Sequence, residues 1–344
     1  MRRTPVYKHP VRGQSMGYIE LFFIAFIFSF GGIFIKSASQ LVTAPVITWC
    51  RWSIGFVCLL LYMLVRKRPI RWHFAMRILW IGALVKSMHY FFENLGVSLG
   101  VSYGGILVWP AQTIVVTLFS VFLFKEKMTR RNFLSVLLCL TGIVVTSWKG
   151  ELIGRTSLTQ GLIRVLIFVV AGTGAALFTI VQKYLNSRMA PDNSCLNMYL
   201  MGSLITLLPV PFAGITPAHA GAVSGTAAGV SAAAGTAVTA AVSAVFAASA
   251  AASSWAAVGG LVCLGVITGF AFLIQADALR KVPMYIVPSI QSTTVILTIF
   301  WGWLFRHEQI SPNVIAGTAI FIAGVLIMEK TGHAQEETQK QETV

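Results

Sequence analysis

Acidic residues are scarce: 11 Asp and Glu stand against 26 Lys and Arg in 344 residues, and charged side chains make up only 11% of the chain. A soluble domain carries about a quarter charged residues. That shortage, with 56% hydrophobic residues and a mean hydropathy of +0.77, excludes an ordinary soluble globular protein. Cysteine is also sparse. Cys50, Cys58, Cys139, Cys195 and Cys263 are odd in number, widely spaced and set in or at the ends of apolar runs, which argues against a disulfide framework and against a CxxC metal site. P-loop and HExxH motifs are missing, so ATP hydrolysis and zinc-dependent hydrolysis lack the residues they need. The chain is expected not to be an enzyme and to carry no cofactor or metal.

What is present is length of apolar sequence. A membrane-spanning helix needs about 20 mostly apolar residues, at about 1.5 Å rise each, to cross a hydrocarbon core of about 30 Å. Ten segments qualify: 17–36, 44–65, 78–99, 103–124, 132–148, 161–183, 195–213, 258–279, 285–305 and 313–329. The first runs too long for a cleavable signal peptide and has no small-residue cleavage site behind it. A pI of 10.0 often marks a nucleic-acid binder. Here the bases lie between apolar runs, so the expected partner is the lipid bilayer and not nucleic acid. With the N-terminus inside, nineteen of the 26 bases fall in inner segments, in groups such as Arg66, Lys67, Arg68, Arg71 and Arg77. Only Lys36, Lys149, Arg155 and Arg306 fall outside, and Arg51, Lys86 and Arg164 fall within spans. This bias predicts a multi-pass protein of the plasma or inner membrane with both termini cytoplasmic.

The two halves resemble each other. Thr117, Phe119, Leu123, Phe124 and Lys125 match Thr298, Phe300, Leu304, Phe305 and Arg306 at an offset of 181, and Glu126, Gly142 and Gly150 match Glu308, Gly324 and Gly332 at 182. Five spans per half is an odd number, so the second half is inverted relative to the first. The expected fold is an all-α polytopic membrane protein of ten transmembrane helices in two inverted five-helix repeats. Its organisation is a cytoplasmic tail at 1–16, repeats at 17–150 and 161–330, and a cytoplasmic tail at 331–344. An insert at 214–257 interrupts the second repeat; within it, residues 218–257 hold 19 alanines in 40 positions. That segment reads as a disordered or weakly helical loop, with a lid or a shallow extra helix as the alternatives. Inverted helical repeats are typical of secondary transporters, whose substrate sits near mid-depth between the repeats. A duplicated scaffold without transport is the bland alternative.

Several local signatures stand in order along this frame. The first span ends Ser29-Phe30-Gly31-Gly32-Ile33-Phe34-Ile35-Lys36, and the second has Trp49-Cys50-Arg51-Trp52. The fourth contains Pro110 and ends Lys125-Glu126-Lys127-Met128-Thr129, the eighth contains Ala278-Leu279-Arg280-Lys281-Val282-Pro283, and the ninth ends Glu308-Gln309-Ile310-Ser311. Together they resemble the EamA-type branch of the drug/metabolite transporter superfamily over roughly 17–213 and 258–330. Phenylalanine stands where that family usually has tryptophan, and Pro288 lies several residues ahead of the family's late proline. The resemblance implies a permease for small polar metabolites such as amino acids, with export the expected direction; proton coupling and facilitated diffusion both fit, and a homodimer is left open. A carrier of nucleotide-like or other anionic cofactors is the alternative, and a lipid flippase is the alternative of another class.

Ionisable residues inside a bilayer are costly and mark function by default. Lys86, His89 and Glu93 recur at i, i+3 and i+7 on one face of the third span. Arg51 lies at a depth similar to Glu93 and could pair with it. Either these form a neutralised packing pair with Lys86 reaching inward, or Arg51 and Lys86 meet an anionic group while Glu93 or His89 moves protons. Tyr90 and Trp109 are the aromatic candidates, and Gln291, just after Pro288, is the polar candidate of the second half. Helix interruption at Pro288 would expose backbone carbonyls there. The expected substrate-binding set is Arg51, Lys86, His89, Tyr90, Glu93, Trp109 and Gln291, with Glu93 and His89 for proton coupling and no metal ligands. Lys36 is placed near the outer surface, Glu20 near the inner end as a gate or interfacial group, and Asp277 is expected to pair locally with Arg280.

Overall fold

The computed structural model describes residues 11–124, 130–147, 158–210, 255–282 and 287–341. Among them there is no β-strand. The helices are α1 Val11–Phe28, α2 Gly31–Ala38, α3 Ala44–Val65, α4 Arg77–Leu99, α5 Val108–Phe124, α6 Arg130–Ser147, α7 Leu158–Asn186, α8 Pro191–Leu207, α9 Trp255–Lys281, α10 Val287–Arg306 and α11 Pro312–Gln341. A 3₁₀ turn, Ser102–Leu107, joins α4 to α5. Most of the alanine-rich insert, 214–254, lies outside the described residues, as do Lys125, Glu126 and Gly150 of the repeat match and Pro283.

Three boundaries differ from the sequence expectation. The first span is two helices, α1 and α2, broken at Ser29–Phe30 ahead of Gly31-Gly32. The last helix runs on to Gln341, past the end of its apolar stretch. Pro288 is the second residue of α10 and does not interrupt it. A proline in the first turn forfeits only an N–H that has no helical partner anyway.

Apolar composition sets what the helices face. Ser15–Ala38, Ala44–Val65, Val165–Asn186 and Trp255–Lys281 are long and apolar enough to cross a membrane, and Phe133–Thr146 and Pro312–Ile327 are shorter apolar stretches. Phe22, Phe23, Leu61, Leu64, Leu137, Leu166 and Ile315 are exposed on the outside of the bundle. So much outward apolar surface suits lipid and not water. Against lipid the hydrophobic effect gives helices little reason to associate, so close packing and interhelical hydrogen bonds must do it.

The packing obeys a two-fold pattern. α6 lies against α11, the fifth span of each half on the other. α4 and α5 pack on α7, while α9 and α10 pack on α1; α3 packs on α8 and α9, while α8 packs on α3 and α4. These contacts between the halves therefore recur with the halves exchanged, as inverted repeats require. The α6–α11 seam shows it at atomic scale. A Cβ on Gly142 would stand 2.9 Å from the Gly317 carbonyl oxygen, and one on Gly324 would stand 3.0 Å from that of Ser135. Gly142 and Gly324 are repeat equivalents at offset 182, and so are Ser135 and Gly317. The Ser135 hydroxyl donates to the Gly324 carbonyl at 2.7 Å across the same seam.

Hydroxyls on α10 add hydrogen bonds to the backbone beside the α1–α2 break. Thr294 donates to the Ala25 carbonyl and Thr298 to that of Ser29, both at 3.2 Å. The Trp301 indole donates to the Ser29 hydroxyl at 2.8 Å. An interruption inside a membrane is tolerated only where its polar groups are re-satisfied in this way.

Candidate functional site

α4 runs through the middle of the bundle, packed on α3, α7 and α8. Gly174 on α7 lets it approach closely: a Cβ there would meet the Val85 carbonyl oxygen at 2.7 Å and the His89 nitrogen at 2.9 Å. The polar face of α4 is thereby held against both halves. Lys86 and His89 are 6% and 7% exposed.

Arg51 projects from α3 onto this face. Its Nη1 donates to Glu93 Oε2 at 2.8 Å and to Asn94 Oδ1 at 3.0 Å, and Asn94 Nδ2 donates to the Thr48 hydroxyl at 2.9 Å. The guanidinium lies over the Tyr90 ring at 3.8 Å. Arg51 is thus held from three directions, and its charge is matched by that of Glu93. His89 Nδ1 is 2.9 Å from the Ala171 carbonyl oxygen, and Nε2 is 3.6 Å from Glu93 Oε2. The carbonyl makes Nδ1 a donor, which leaves Nε2 facing the carboxylate.

Lys86 is held differently. Its Nζ lies over three rings, Phe272 at 4.3 Å, Tyr90 at 4.7 Å and Phe178 at 5.0 Å. Among the described residues no carboxylate lies within 4 Å of it. The side chain does not snorkel to an interface but stays in the bundle.

These groups border one cavity. All seven residues expected at the site, Arg51, Lys86, His89, Tyr90, Glu93, Trp109 and Gln291, line it. So do Gln112 and Thr179, which bond to each other at 3.2 Å, and Phe28, Phe178, Thr268, Phe272, Gln275, Thr294 and Thr298. Gln275 Oε1 is buried without a hydrogen-bond partner. Gln275, Gln112, Phe178 and Phe272 are not among the expected residues, because their own neighbourhoods in the sequence carry no signal of the cavity across the bundle. The lining comes from α1 to α5, α7, α9 and α10, so the cavity lies between the two halves.

Trp52 and Tyr103 are packing groups. Trp52 is wedged edge-on between Tyr199 at 4.8 Å and Tyr90 at 5.4 Å. Its indole occupies the space over Gly202, where a Cβ would come within 2.4 Å of the ring. Tyr103 donates its hydroxyl to the Gln309 carbonyl at 2.9 Å.

Polar contacts tie helices together at both ends of the bundle. At the end where α1 begins, Lys281 Nζ bridges Glu20 Oε1 at 2.5 Å and Asp277 Oδ2 at 2.7 Å. Asp277 therefore pairs with Lys281, one turn on, and not with Arg280 as expected. Arg280 instead reaches the carbonyls of Asn186 at 2.9 Å and Met189 at 2.6 Å, holding α9 to the α7–α8 turn. At the opposite end, His307 adopts a left-handed conformation (φ 52°) that ends α10 and turns Glu308 back. The Glu308 carboxylate accepts from the Ser102 N–H at 2.9 and 3.1 Å and from its hydroxyl at 2.8 Å. Lys36 donates to the carbonyls of Ser98 at 3.1 Å and Gly100 at 2.5 Å where α4 ends. Cations suit that position, because the last carbonyls of a helix lack partners.

The family model of EamA-like transporters matches the chain twice, over residues 15–148 and 162–329. A solved structure described as "Crystal structure of protein" has a TM-score of 0.60 and 13% sequence identity, over 94% of this chain and 99% of its own. No curated protein matches. At that identity the solved structure shows a shared fold alone.

Proposed function

The chain belongs to the EamA-like transporter family, within the drug/metabolite transporter superfamily, and on that premise we propose that it is a secondary carrier of small polar organic metabolites that uses the central cavity as its substrate site. One observation carries the reading. Charged and amide side chains converge on a single cavity between two halves whose contacts recur when the halves are exchanged. A site on such an axis opens to either side of the membrane by rocking one repeat against the other.

The contacts at the two ends are the gates. On the topology that the basic residues imply, with both termini cytoplasmic, Glu20–Lys281 closes the inner side and Ser102–Glu308 the outer side. Export is the proposed direction. Glu93 and His89 are the groups through which protons would couple. Protonating Glu93 would release Arg51, and Nε2 of His89 stands next to the same carboxylate.

The test is uptake of a labelled metabolite panel, amino acids included, into proteoliposomes of the purified full-length chain. Saturable uptake that falls on replacing residues of the cavity wall supports a carrier. Uptake equal to that of protein-free liposomes for every solute contradicts it. For coupling, Glu93→Gln should abolish accumulation driven by a pH step while exchange persists; an unchanged gradient removes the proton role.

A further inference from the structure

Within the reading that the cavity is the transport site, we infer that its substrate is a monoanion, a carboxylate on an apolar or aromatic body that Lys86 anchors, and neither a zwitterion nor a multiply charged phosphate. The argument is a count of formal charges. The formally charged side chains that line the cavity are Arg51, Lys86 and Glu93. While Glu93 is ionised, Arg51 and Glu93 face each other at 2.8 Å and cancel. Arg51 has its Nη1 shared between Glu93 and Asn94 and its plane laid on Tyr90; its Nε has no hydrogen-bond partner, but its charge is already matched. Lys86 is left as a single buried cation with no carboxylate within reach among the described residues.

A buried charge needs a countercharge. The faces of Tyr90, Phe178 and Phe272 offset part of the cost through cation–π attraction. They cannot accept the ammonium's three N–H bonds as a carboxylate does. One unit of positive charge is thus open to a ligand. A zwitterion would bring an ammonium group that finds no free carboxylate, because Glu93 is taken. A phosphate dianion or a polyphosphate would bring more charge than Lys86 balances. Unmatched charge in such a site discriminates more strongly than missing apolar contact. The walls suit an apolar body: the rings around the ammonium are joined along the cavity by Trp109. Gln275, whose Oε1 has no partner, supplies a hydrogen bond to a polar substituent.

The test compares twins of one carbon skeleton. Proteoliposomes of the full chain are given 4-methyl-2-oxopentanoate against leucine, phenylpyruvate against phenylalanine, and AMP. The oxo acids should be taken up with KM values about tenfold or more below those of their amino acids, since a buried ammonium group left without a partner costs at least that factor. AMP should not be transported. Lys86→Met should bring each pair within about twofold, while Lys86→Arg should keep the preference; this separates lost charge from lost fold. Leucine, phenylalanine or AMP preferred over the oxo acids, or a preference that survives Lys86→Met, overturns the monoanion assignment and leaves the carrier reading intact. No transport of any of the five by well-folded protein also overturns it, and the carrier reading is then decided separately by the wider panel.

Discussion

Breaking the Arg51–Glu93 pair from one side should cost far more than removing it whole. Arg51→Met strands the Glu93 carboxylate in the cavity wall and removes the donor to Asn94. Losing one partner of a buried pair costs about 3–5 kcal/mol, and the low end applies here because the Glu93 side chain keeps 21% exposure. Glu93→Gln keeps an acceptor near Nη1 but leaves the guanidinium, 5% exposed, without its countercharge; about 1–3 kcal/mol is expected for a bond to a charged group. The double variant, Arg51→Met with Glu93→Gln, removes both charges and the desolvation they suffer. It should cost about 1–2 kcal/mol, well below the sum of the singles, so the coupling is about 2–5 kcal/mol. The assay is equilibrium unfolding of the detergent-solubilised protein in SDS, run as a double-mutant cycle. Single costs that add to within about 0.5 kcal/mol would show that the two residues do not act as a pair and would remove the charge count built on them.

Three further outcomes follow from the geometry. Glu308→Ala deletes the acceptor of the Ser102 N–H and hydroxyl; it should cost about 1–3 kcal/mol and favour the outward-open form, seen as faster labelling of a cysteine placed at Gly105 by an external thiol reagent. Lys281→Met frees Glu20 and Asp277 at the other end. That cluster is partly exposed, so stability should change by less than about 1 kcal/mol while the ratio of inward- to outward-facing carrier, read by the same labelling from each side, shifts inward. Gly142→Val puts a side chain into a gap already only 2.9 Å from the Gly317 carbonyl oxygen. Overpacking should cost about 1–3 kcal/mol in SDS unfolding, whereas the same change at Gly259, which has open space around it, should not.

The parts legible in the sequence are those with a periodic or additive signal. Lys86, His89 and Glu93 could be put on one face because helical spacing is local, and depth counting brought Arg51 level with Glu93. The offset of 182 that pairs Gly142 with Gly324 also showed, since inverted repeats leave their packing glycines in register. Contacts that are long-range and uncharged did not show. Phe178, Phe272 and Gln275 reach the cavity from α7 and α9, and nothing in their own neighbourhoods indicates that Lys86 waits across the bundle. The break at Ser29–Phe30 was hidden inside a continuous apolar run, because what makes it tolerable lies on α10, at Thr294, Thr298 and Trp301. Asp277 was assigned to Arg280 by its spacing of three; the three-dimensional pull of the α7–α8 carbonyls on Arg280 left Lys281 as its partner.

Alternating access to the cavity is most directly tested at Gln291, which lines it from α10 and is 3% exposed. In a background with Cys50, Cys58, Cys139, Cys195 and Cys263 replaced, Gln291→Cys should react with a membrane-impermeant maleimide added from outside intact cells, and also from the cytoplasmic face in inverted vesicles. Substrate should slow the reaction on both sides. A cysteine reached from one side alone, or from neither, would contradict a carrier that works by presenting this cavity to each face in turn.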